Sequence, residues 1–162
     1  MSIRYSADEV FEMAEQIERN GAKFYRRAAE LASEDTARAL MSELADMEDS
    51  HERTFSGMRG DLSAEERKEM VFDPDNELDL YLRAMADKHV FDVSVDPSER
   101  LTGGEKLEDI LQMAIGLEKD SIVFYLGLKQ MVPERFGRDR LDGIIREEYG
   151  HISTLAAKLP AS

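Results

Sequence analysis

Apolar residues recur along this chain at spacings of three and four, and no stretch alternates long enough to make a strand, so the pattern predicts helices. Four long ones stand out. The first opens at Ser6, where Glu9 three residues on completes a capping box, and carries Val10, Ala14, Ile17, Gly21, Phe24, Tyr25, Ala28 and Leu31 on one stripe to about Ala32. After the polar break Ser33-Glu34-Asp35 a second helix aligns Ala37, Leu40, Met41, Leu44, Met47, Phe55 and Met58, and ends near Gly57 to Gly60. A third begins after Thr102-Gly103-Gly104, carries Leu107, Leu111, Ala114, Leu117, Ser121, Phe124, Tyr125 and Leu128, and stops before Pro133. The fourth, from about Gly137 to Leu159, carries Leu141, Ile144, Ile145, Ile152 and Leu155. Between the two pairs, residues 61 to 102 read as a crossover. It holds a short helix behind the capping box Ser63 to Glu66, a break at Phe72-Asp73-Pro74, a second helix from about Glu77 to Val90, and then an acidic, proline-bearing loop. The expectation is an all-α, single-domain four-helix bundle over residues 1–162, made of two antiparallel hairpins (about 6–58 and 104–159) joined by the long crossover.

The two hairpins repeat each other. Residues 8–55 align with residues 108–155 without a gap, pairing Met13 with Met113, Ala14 with Ala114, Glu18 with Glu118, Phe24 with Phe124 and Tyr25 with Tyr125. In the second helix of each, Arg38 meets Arg138, Glu48 meets Glu148, His51 meets His151 and Thr54 meets Thr154. Such a repeat implies approximate internal two-fold symmetry, with like residues meeting across the axis.

Several polar residues lie on the apolar stripes. Steps of four and three place Glu18 between Ala14 and Tyr25, Glu118 between Ala114 and Tyr125, Glu48 and His51 between Leu44 and Phe55, and Glu148 and His151 between Ile144 or Ile145 and Leu155. Six polar groups therefore point inward near the middle of their helices. Burying four carboxylates costs several kcal/mol for each unpaired ion, so their charge must be cancelled. Two divalent cations balance four ionised Glu. Glu and His at i and i+3 project toward one point, and the mixed oxygen and nitrogen donors suit Fe, Mn, Co or Zn better than Ca or Mg. Glu147 competes with Glu148, because i to i+4 also faces His151; the repeat favours Glu148 and leaves Glu147 as a solvated acid or an outer partner. His89, without such neighbours, reads as a surface or packing histidine, and the nine Met residues read as core filler.

Composition narrows the functional classes. The 35 acids against 21 bases give a net charge of −14, which would repel a nucleic-acid backbone or an anionic membrane. The acidic runs, such as Asp73 to Glu77, read as solvated loop. Zero Cys excludes disulfides, thiolate nucleophiles and cysteine-ligated metals. The segment MSIRYSADEVFEMAEQ reaches acidic residues before any apolar run forms, so neither signal peptide nor membrane span is expected, and the cytoplasm is the expected compartment.

A lone Glu from each of two helices, with Glu-x-x-His from each of the other two, resembles the ferritin-like di-iron carboxylate proteins, an arrangement well known for bundle metal sites. Within that superfamily the blocks Met-Ala-x-x-Ile-Glu-Arg-Asn-Gly-x-x-Phe-Tyr (13–25) and Met-Ala-x-x-Leu-Glu-Lys-Asp-Ser-x-x-Phe-Tyr (113–125) are most similar to rubrerythrins. So are Met-Glu-Asp-Ser-His (47–51) and Glu-Glu-Tyr-Gly-His (147–151). The resemblance implies a ferritin-like bundle with two iron ions, for which Mn or Zn are substitutes. Its ligands would be Glu18, Glu48, His51, Glu118, Glu148 and His151, with Glu48 and Glu148 bridging. Tyr25 and Tyr125 would hydrogen-bond ligand carboxylates. It implies an oxidoreductase that reduces O2 or H2O2, acting in oxidative stress as a homodimer or higher homo-oligomer. The alternatives are Fe(II) oxidation with storage or handling of iron, and a structural bundle without chemistry. Two departures from rubrerythrins stand out: Ser121 replaces a further Glu on the third helix, and the absence of Cys removes the rubredoxin domain, so electrons would come from a separate donor.

Overall fold

A computed structural model describes residues 5–71, 73–81 and 96–161, with Met131 described by its backbone alone. Its four long helices are α1 (Ala7–Leu31), α2 (Asp35–Gly60), α3 (Leu107–Met131) and α4 (Arg138–Ala156). The expected starts have local causes. Ser6 accepts from the Glu9 backbone N–H while the Glu9 carboxylate accepts from the Ser6 N–H, which closes the capping box of α1. Gly137, at φ 95°, takes the left-handed conformation that lets a single 3-10 turn (Glu134–Phe136) hand the chain from α3 to α4.

Two apolar clusters show how the helices run. One gathers Phe11 and Ala14 from the start of α1, Phe55 and Met58 from the end of α2, Leu128 from the end of α3 and Leu141 from the start of α4. The other gathers Phe24 and Ala28, Met41 and Leu44, Leu111 and Ala114, and Leu155, from the opposite ends of the same helices. Thus α1 and α4 run one way and α2 and α3 the other. The crossover from Gly60 to Leu107 must return along the length of the bundle, which is the topology of a bundle with one long connection. Residues 18, 48, 51, 118, 148 and 151 fall between the two apolar clusters on every helix.

The crossover differs in detail from expectation. Ser63 and Glu66 do form their reciprocal cap (2.8 and 3.2 Å), yet only one 3-10 turn, Glu66–Lys68, follows. The next residues carry no apolar stripe to bury. They instead pair with the chain entering α1: the Ala7 N–H donates to Glu69 C=O (2.9 Å) and the Val71 N–H to Tyr5 C=O (3.0 Å). Of the helix expected over 77–90, residues 77–81 are helical and the rest, with His89, lies outside the described residues. A second 3-10 turn, Pro97–Arg100, capped by Asp96, packs beside α1 through a Lys23–Asp96 ion pair (3.5 Å). Leu107, expected on the core stripe, is 38% exposed because it stands at the first turn of α3, outside the overlap of the helices.

Candidate metal centre

The repeat brings its inward polar residues to one place. Glu18, Glu48, His51 and Glu148 offer donor atoms that all lie within 4.8 Å of one another, and so do Glu48, Glu118, Glu148 and His151. Glu48 and Glu148 belong to both groups. None of the six is more than 4% exposed. His151 Nδ1 lies 2.8 Å from Glu148, 3.2 Å from Glu118 and 3.3 Å from Glu48; His51 Nδ1 lies 3.1 Å from Glu148 and 3.5 Å from Glu18. The imidazoles stack at 5.6 Å with 20° between their planes, as residues related by the internal axis would.

The tyrosines obey the same symmetry, and they cross it. The Tyr25 hydroxyl donates to Glu118 and the Tyr125 hydroxyl to Glu18, so each carboxylate is held from the other hairpin. Each Tyr is buried and stands edge-on to the Phe before it, at 5.6 and 5.8 Å. Gly21 supplies room: a Cβ there would lie 2.8 Å from Glu48 Oε2. Its repeat mate Ser121 turns its hydroxyl back to Leu117 C=O (3.1 Å) and takes no part in the cluster.

Burial and mutual repulsion set the protonation of these groups in the metal-free protein. Burial, then the charges of Glu118, Glu148 and Glu18, pushes Glu48 far above the usual carboxylate range. Burial and the Glu148 charge push Glu118 up to about 8. Glu148 also suffers from burial and from Glu18, but it meets both imidazoles, and their close approach brings it below its ordinary value. Burial opposes a charge on His51 and His151, yet their carboxylate neighbours outweigh it and raise them to about 11 and about 9. Burial and adjacent carboxylates keep both Tyr phenols protonated.

Whether these residues suit metal ions can be judged from the atoms left over. Glu18 Oε2, Glu48 Oε1, Glu148 Oε2 and His151 Nδ1 are buried without a hydrogen bond; the 2.8 Å contact of His151 with Glu148 lacks the geometry of one. Buried polar atoms without partners are costly. Carboxylate oxygens and imidazole nitrogens converging in two groups with two shared members are a donor set for a pair of transition-metal ions.

Glu147 is where the sequence reading falls short. Its face was legible from the i to i+4 step, but its partner was not: Glu147 Oε2 lies 2.8 Å from Nε2 of His51, on the opposite hairpin. Buried Glu15 was also unforeseen; it accepts from Arg19 (2.8 Å) in a network that holds α1 to α2 through Arg19–Glu52 (2.9 Å) and Arg59–Asp8 (2.8 Å).

Among the described residues, no helix is long and apolar enough to cross a membrane. No protein-family model and no curated protein matches the chain. A solved structure does: a Thermotoga maritima protein, provisionally described as a ferritin-like diiron-carboxylate protein, superposes with a TM-score of 0.74. The match spans 95% of this chain and 94% of that one at 25% identity. The likeness is to the ferritin-like superfamily. The chain has the ferritin-like fold, and its buried Glu/His cluster fits a di-metal site.

Proposed function

We propose that this chain is a di-iron oxidoreductase of the rubrerythrin kind, reducing O2 or H2O2 with electrons from a separate donor protein. One observation carries the reading: two four-residue donor groups share Glu48 and Glu148 in a buried cluster where one carboxylate oxygen each of Glu18, Glu48 and Glu148 has no hydrogen-bond donor. Two iron ions bound there would supply the two-electron redox change that reduction of an O–O bond requires. Glu18 and His51 would hold one ion, Glu118 and His151 the other, and Glu48 and Glu148 both. Tyr25 and Tyr125 fix the Glu118 and Glu18 carboxylates by donating to them, and leave the other lone pairs free for metal. Phe24, Phe55, Phe124 and Leu155, all buried, keep bulk water from the cluster. With no Cys in these 162 residues to ligate an electron-transfer iron, the chain would take its electrons from a separate donor protein, and it would act in the cytoplasm as a homodimer or higher homo-oligomer.

The test is anaerobic loading with Fe(II), metal analysis, and then a challenge with H2O2 or O2 followed by absorption of the oxidised centre. The expected result is two Fe per chain, rapid oxidation, and re-reduction by an external donor over repeated cycles. Glu18→Ala should lose one ion and the fast oxidation. Iron accumulating beyond two per chain in a large shell would favour iron storage. Failure to bind even one transition-metal ion per chain would overturn both readings and leave a structural bundle.

A further inference from the structure

The tyrosines of the cluster follow its internal two-fold, and the far nitrogens of the two imidazoles do not. Both rings aim Nδ1 at the shared carboxylates and Nε2 away from them. Nε2 of His51 donates to Glu147 Oε2 at 2.8 Å. Nε2 of His151 is buried and meets no hydrogen-bond partner among the described residues. The repeat explains the difference, because the position matching Glu147 in the first hairpin is Met47, which has no carboxylate to offer.

A carboxylate on the far nitrogen of a ligating imidazole fixes the tautomer, orients the ring and increases the electron density on the nitrogen facing the metal. His51 has that support, and among the described residues His151 has none. A further break in symmetry near the cluster, Gly21 against Ser121, does not offset it, since the Ser121 hydroxyl is spent on Leu117.

We infer that Glu147 makes the two metal positions unequal: the ion on Glu18 and His51 is held more tightly than the ion on Glu118 and His151, so the centre fills and empties in a fixed order. Glu147 is thereby a positioning residue acting through His51. This inference rests on the di-metal reading of the cluster.

Titration of the metal-free protein with Co(II), followed by calorimetry and visible absorption, tests it. The wild-type protein should bind two ions in steps separated by roughly 10- to 100-fold in affinity, the usual effect of an outer partner on a ligand histidine. Glu147→Gln should weaken the tight step by a similar factor and merge the two, while shifting the hyperfine-displaced ring N–H signal of His51 and leaving that of His151. Met47→Glu, which restores the repeat, should strengthen the weak step. Indistinguishable steps in the wild type, or a Glu147→Gln variant that weakens both equally or neither, would overturn the inference. Fewer than two Co(II) per wild-type chain would instead defeat the di-metal reading beneath it.

Discussion

Gly21 shows how closely single residues are fitted to the cluster. Its missing side chain is the space that the Glu48 carboxylate occupies, 2.8 Å from where a Cβ would stand and 3.2 Å from Cδ. Gly21→Ala should therefore push Glu48 out of place. Overpacking of this kind costs about 1–3 kcal/mol, readable as a lower denaturation midpoint of the metal-free protein, and the displaced carboxylate should weaken both ions, since both share it. An unchanged midpoint and unchanged Co(II) binding would show that Glu48 has room to move. The six converging donors were legible residue by residue, because the repeat marks which acids recur on apolar stripes. Which carboxylate each tyrosine would meet, and the bond from His51 to Glu147, were not. Periodicity assigns a side chain to a face of its own helix, and says nothing of which neighbouring helix lies opposite.

At the scale of elements, the four helices were readable because separate signals agree: an apolar stripe in each, a stop at Gly or Pro for α2 and α3, and a reciprocal cap for α1. The crossover was less readable because its signals conflict. Ser63 and Glu66 start a helix that no apolar face sustains, and the chain prefers backbone bonds to the segment before α1. That pairing makes the start of α1 a junction of cap and crossover. Ser6→Ala removes the hydroxyl that accepts from Glu9 N–H and should cost about 0.5–2 kcal/mol, measured by chemical denaturation. Hydrogen exchange in that variant should quicken at Ala7 and Val71 together if the two segments hold each other, and at Ala7 alone if they do not.

For the whole molecule, the cluster dictates an unusual response to pH. In the metal-free protein His51 and His151 keep their protons to about 11 and about 9, against an ordinary 6.5, so their contribution is complete below pH 6.5 and is lost as pH rises through those values. Glu118 acts in the same direction, holding a proton to about 8 that the unfolded chain releases near 4.5. Thermal stability of the metal-free protein should therefore fall between pH 6.5 and 9, measured by calorimetry. The metal-loaded protein should be nearly flat over that range, because the ions replace the protons. A metal-free protein that gains stability over the same window would contradict the protonation described here.

Each hairpin brings three of the six donors, and neither four-membered group is complete without a carboxylate from the other: Glu148 joins Glu18, Glu48 and His51, and Glu48 joins Glu118, Glu148 and His151. A pair of bound ions would then rivet the two halves of the molecule together across their seam. A chain cut once in the crossover, after Asp75, should travel as one particle with the ions in place and come apart more readily in chelator, a difference that gel filtration in mild denaturant would display.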